Sequence, residues 1–161
     1  FFGWDFNSCE ALRSNGLWQP IDFANACPDS QVTSLHFHFP WLIKANIRWS
    51  VFCAATDRSM HANLGWEQYF RIADTDQPFE DKLTEYAKLA KTYFEFDKFE
   101  AFCAEHLAHL DEVAYEFFGK DIVLDAIRQK VAALYPEHEH EEFTELFWDR
   151  IQEWRRLEGS G

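Results

Sequence analysis

Glycine is scarce in this chain, six residues among 161. No two of them are spaced to form the close turns in which backbone amides cradle a phosphate. The Gly-x-Ser-x-Gly elbow that presents a serine nucleophile is missing as well. These absences remove nucleotide-binding loops and α/β-hydrolase chemistry. Basic residues are also few: 15 Lys and Arg stand against 28 Asp and Glu, a formal net charge of −13. Such a surface repels phosphate backbones and anionic lipid headgroups, so direct nucleic-acid or membrane binding is not expected. A membrane span takes roughly 20 mostly apolar residues, and the best stretch, Trp41 to Ala55, is interrupted by Lys44 and Arg48. The four cysteines, Cys9, Cys27, Cys53 and Cys103, include no Cys-x-x-Cys pair. Cys53 and Cys103 sit in helical apolar patterns, where a free thiol behaves as a small hydrophobe. That usage fits a reducing, cytoplasmic compartment. Cys9 and Cys27 lie in loop-rich sequence and would bridge only in an exported protein. No secretory leader is recognisable, and the chain opens at Phe1 rather than Met.

Aromatic side chains are what the chain has in excess: 17 Phe, 7 Trp and 5 Tyr against a single Met. With 47% hydrophobic residues over this length, one domain over 1–158 has enough apolar surface to bury a core without disulfides or metal. Residues 159–161 read as a linker tail. Large aromatic side chains in such number predict that some line a groove or interface instead of the core.

Residues 1–30 are punctuated by Gly3, Gly16, Pro20 and Pro28 and read as an irregular, aromatic-rich wrap with a short helix near 8–14. Residues 31–39 alternate, Leu35, Phe37 and Phe39 on one side and His36 and His38 on the other, predicting at most one short strand within the 1–40 wrap. From Pro40 onward the pattern is helical over 41–158. Expected helices cover about 41–58, 64–73, 78–94, 97–118, 121–135 and 137–157. Asp97 and Glu100 are spaced as a capping box, and Gly119 reads as a helix stop. The fold class is therefore mainly α, a compact antiparallel bundle of five to six helices.

Three constellations carry candidate chemistry. In the 97–118 segment, Phe99, Cys103, His106, Leu110, Val113 and Phe117 step by four and three, an apolar stripe with His106 at its centre. Glu105, His109, Glu112 and Glu116 form a row on its shoulder. Cys, His and Glu so placed can ligate a metal or relay protons; the plainer reading is a core histidine with one hydrogen bond beside a solvated acidic face. In the last helix, Phe143, Phe147, Ile151 and Trp154 mark a buried face that His140 shares, with His138 turned away. Glu137 and His140 have the Glu-x-x-His spacing of di-iron bundles, which need a second such pair that this chain lacks. His36-x-His38 can chelate one metal from an extended segment.

The preferred expectation is a non-catalytic interaction or accessory protein. It would hold a basic or amphipathic protein partner through an aromatic groove with an acidic rim, without a cofactor. The alternative is a zinc or non-haem iron protein using Glu105, His106, His109, Glu137, His140, His36 and His38. A second alternative is an acidic nucleic-acid mimic. No motif is specific enough to fix a reaction.

Overall fold

The computed structural model describes residues 3–25, 37–59 and 61–159. Among them are seven α-helices, one 3-10 turn and one two-stranded sheet, so the fold is mainly α as expected. The elements run β1 (Ser8–Ser14), β2 (Leu17–Asn25), α1 (Phe39–Ala55), α2 (Glu67–Ala73), α3 (Phe79–Tyr93), α4 (Phe96–His106), α5 (Leu110–Phe117), α6 (Asp121–Leu134), the 3-10 turn Glu137–Glu139 and α7 (His140–Glu158). The chain divides into two compact units, 1–28 with 52–102 and 29–51 with 103–161.

The N-terminal segment corrects the sequence reading. In place of an irregular wrap with a short helix at 8–14, Ser8–Ser14 is a strand paired antiparallel with Leu17–Asn25. The physical cause is the dipeptide Asn15-Gly16, whose φ angles are 51° and 81°. Two successive residues with positive φ make the turn whose twist matches that of the flanking strands, and glycine bears such a φ without Cβ strain. The alternation expected at 31–39 lies mostly outside the described residues, as do His36 and Cys27. At its described end, Phe37 and His38 form a turn and Phe39 opens α1.

The first unit is centred on Phe52, which is fully buried. Phe99 and Phe102 pack edge-on against it at 5.4 and 5.6 Å. Tyr69 of α2 stacks on Tyr86 of α3 at 6.1 Å, and the Tyr86 hydroxyl donates to the Tyr69 carbonyl at 3.3 Å. Two residues join α3 to α4, with Glu95 left-handed at φ 51°. Helix α4 therefore starts at Phe96 and carries Asp97 inside its first turn, so Asp97 is not a cap as its spacing suggested.

The second unit has a continuous core of Ala114, Phe118, Val123, Ile127, Val131, Ile151 and Trp154. Val123, Ile127 and Val131 are four apart on α6 and meet Ile151 and Trp154 of α7. Burying each such side chain is worth about 1.5–3 kcal/mol. Phe39, Phe143 and Phe147 pack around this centre, and Lys44 lies over the Trp154 ring at 5.3 Å while pairing with Asp111 at 2.8 Å.

The expected 97–118 helix is interrupted at 107–109. The break advances the buried phase by one residue. Buried or half-buried positions run Phe99, Cys103, Leu107, Leu110, Ala114 and Phe118, while Val113 and Phe117 are 51% and 46% exposed. His106, read as the centre of the stripe, ends α4 with its side chain 51% exposed. It is not a core histidine.

Candidate functional site

The histidines and glutamates singled out in the sequence are scattered. Glu105 and His106 are neighbours at 3.9 Å, both largely solvated. His109 precedes α5 and makes no side-chain cap. Glu137 is exposed on the 3-10 turn. His140 lies half-buried on the α7 core face as expected, and its Nε2–H donates to the Tyr135 carbonyl at 2.9 Å. That bond ties the first residue of α7 to Tyr135, the extended residue that caps α6. His138 points away, 80% exposed. His38 is exposed, its ring edge-on to Phe37. Among the described residues no three His, Cys, Asp or Glu side chains gather in a way that could hold a metal ion.

Two features of the first unit stand out instead. One is a polar recess of about 300 Å³ lined by Asp57, Arg58, Ser59, His61, Tyr93 and Glu95. The Arg58 side chain is only 12% exposed and reaches Asp5 at 3.2 Å and Glu95 at 3.9 Å. Its Nη2 donates to the Tyr93 carbonyl at 3.5 Å, and its guanidinium lies within 6 Å of the Tyr93 and Phe94 rings. The Tyr93 hydroxyl proton is shared between the carbonyls of His61 and Gly3. Cys53 lies against the same group. Burial pushes its thiol above the ordinary value, the Asp5 carboxylate adds to the rise, and Arg58 opposes it. Ser59 Oγ and His61 Nε2 are 3.3 Å apart. Both residues are exposed.

The recess has a mechanical consequence. Gly3 and Asp5 belong to the segment entering β1, and both are tied to it through Tyr93 and Arg58. The root of the hairpin is therefore anchored by one charge-assisted hydrogen bond, Arg58 to Asp5, the stronger kind, and by a neutral one from Tyr93 to Gly3.

The second feature is the hairpin itself. Leu12, Leu17, Trp18 and Ile21 are 61%, 65%, 69% and 59% exposed. In the register Arg13 faces Trp18 and Ser14 faces Leu17. Leu12, Ser14 and Leu17 therefore share one side, and Arg13 and Trp18 the other. Glu10 pairs with Asp22, placing two carboxylates at the far end. In the sequence Leu12, Leu17, Trp18 and Ile21 read as side chains that pin the N-terminal stretch to a core, which their exposure corrects; the recess positions do not stand out there. The available signal was Asn15-Gly16 for the hairpin; the recess unites residues up to 90 positions apart and had none.

No family model matches the chain, and neither a curated protein nor a solved structure is detectably similar to it. No helix among the described residues is long and apolar enough to cross a membrane.

Proposed function

We propose that this chain is a non-catalytic interaction module whose anchored β-hairpin docks a basic, amphipathic protein partner. The observation that carries the reading is the exposure of Leu12, Leu17, Trp18 and Ile21 on one hairpin. A two-stranded hairpin is marginal in water by itself, and a partner that covers these side chains gains about 25 cal/mol per Å² of apolar surface removed from solvent. A tryptophan at such a position is the residue type that most often dominates binding energy. The net charge of −13 and the Glu10–Asp22 pair select a basic partner and speed its encounter. The surface is not the aromatic groove expected from the sequence: it is one tryptophan with three aliphatic side chains, and Trp18 lies on the other side of the hairpin from Leu12 and Leu17.

Two basic probe peptides test the reading, one helical and built from Leu and Lys, one extended and alternating Val and Lys. A helical Leu/Glu peptide serves as the control. At least one basic peptide should bind with a Kd in the micromolar range, near −8 kcal/mol. The double substitution Leu17→Ser, Trp18→Ser should weaken that binding tenfold or more. Equal binding of basic and acidic peptides, or indifference to the double substitution, would remove the basis of the proposal.

A further inference from the structure

We infer that the partner adds a β-strand to the outer edge of β1, a proposal that rests on the interaction reading above. Among the described residues the sheet has two strands in the order β1–β2, so within them each strand has one edge whose backbone groups lie outside the ladder. Such edges are templates for strand addition unless they are guarded by proline, bulges or covering elements.

The two edges are guarded unequally. β2 contains Pro20, opposite Ala11, and proline has no N–H to donate. The register is also irregular at two points. Glu10 pairs with Asp22 and Ala11 with Pro20, leaving Ile21 without an opposite number; Ser8 pairs with Asn25, leaving a second extra residue between Asp22 and Asn25. Both extra residues are on β2, where they bend the strand and interrupt its edge. Neither device occurs in β1. Its sequence Ser-Cys-Glu-Ala-Leu-Arg-Ser has no proline, no residue of it is surplus in the register, and from Cys9 to Ser14 it is exposed. Among the described residues the open edge is therefore the outer edge of β1.

The occupant is an extended segment of a basic partner. Main-chain hydrogen bonds along the edge supply affinity, and side chains alternating across it supply selectivity. On the added strand, a Lys or Arg falls beside Glu10 and the next residue of that face lays its aliphatic stem along Leu12, while β-branched apolar residues fall beside Cys9 and Ala11 on the opposite face. A second copy of this chain is disfavoured because each copy carries −13.

The test uses the full chain and the two basic peptides already described. Neighbouring amides of a strand point to opposite sides, so of Ala11→Pro and Leu12→Pro one removes a donor facing β2 and the other a donor facing outward. Hairpin nuclear Overhauser contacts between Ser14 and Leu17 identify which variant keeps the hairpin. That variant should bind the extended Val/Lys peptide at least tenfold more weakly, and in the unaltered chain the peptide should show backbone contacts to β1. Unchanged affinity in the outward variant overturns the inference. So do peptide contacts confined to the Leu12, Leu17 and Trp18 side chains, or a dimer of the chain that the outward variant dissolves. If the helical Leu/Lys peptide binds and the extended one does not, strand addition fails while the interaction reading stands. If neither binds, both fail.

Discussion

Arg58 shows how one side chain ties local sequence to distant structure. Its guanidinium, almost out of water, is the counter-charge to Asp5, whose side chain is 22% exposed. Removing one partner of a largely buried pair leaves the other charge uncompensated, a loss of about 3–5 kcal/mol at full burial. Discounted for the partial exposure here, Arg58→Met should cost about 2 kcal/mol in urea unfolding, and it should loosen the hairpin root. A cost under about 0.5 kcal/mol would class the pair with ordinary surface ion pairs. Cys53 reports on the same cluster. Its folded thiol holds its proton to higher pH than the unfolded thiol, chiefly through burial and then through Asp5. The unfolded state therefore binds fewer protons at alkaline pH. The thiol's contribution to stability is complete below the ordinary thiol pKa and is lost as pH rises through the folded value. Unfolding free energies between pH 7 and 10 should fall more steeply for the native chain than for Cys53→Ala. Parallel curves would contradict that assignment.

At the scale of elements, the end of α5 is held from α7. Arg155 Nε donates to the Tyr115 carbonyl at 2.8 Å and Nη1 to Gln152 Oε1 at 2.7 Å. Gln152 in turn donates to the Phe118 carbonyl at 3.1 Å, and the Arg155 guanidinium lies over the Tyr115 ring at 4.5 Å. A cation and an amide thus satisfy carbonyls that α5 leaves open. Gly119, expected as a helix stop, follows the cap residue of α5, but its φ is not positive. Its role is space: an added Cβ would meet the Arg155 head, with Nη1 at 2.6 Å. Gly119→Ala should therefore cost about 1–2 kcal/mol, the worth of the hydrogen bonds Arg155 must give up. In the Arg155→Ala background the same change should be neutral or slightly stabilising, because the clash is gone and alanine narrows the unfolded ensemble. Additive costs in that cycle would disprove the steric account.

The same scale shows what was legible in the sequence. Helices α1, α2, α3, α6 and α7 begin and end within a few residues of their expected positions, because apolar periodicity, Pro40, Pro78 and Pro136 act locally. The α7 core face was likewise readable from Phe143, Phe147, Ile151 and Trp154. The hairpin was legible only in its turn, Asn15-Gly16, and not in its strands, because period-2 alternation marks a strand with one buried face and β1 is exposed on both. The break at 107–109 hides inside a sequence that continues a helical pattern, and one residue of phase was enough to misplace His106. The Arg58 recess escaped for a different reason: Asp5, Arg58, Tyr93 and Glu95 are brought together only by tertiary structure.

For the whole molecule the governing quantity is charge. A chain at −13 repels itself in the folded state more than in the expanded one. Added salt shortens the screening length from about 30 Å at 0.01 M to about 8 Å at 0.15 M, which relieves that repulsion while touching the largely buried Arg58–Asp5 pair much less. Raising NaCl from 0.01 to 0.3 M should therefore raise Tm, by roughly 2–4 °C for each kcal/mol of repulsion removed in a chain of this size. The identical salt series should act in the opposite direction on association, since screening removes the attraction between an acidic surface and a basic peptide. Calorimetry and peptide titration on one preparation give both slopes. Stability rising while affinity falls is the expected signature of a surface whose charge serves binding at the expense of folding. A Tm that drops with salt would mean that the ion pairs outweigh the repulsion, and salt-independent peptide affinity would leave the docking surface wholly apolar.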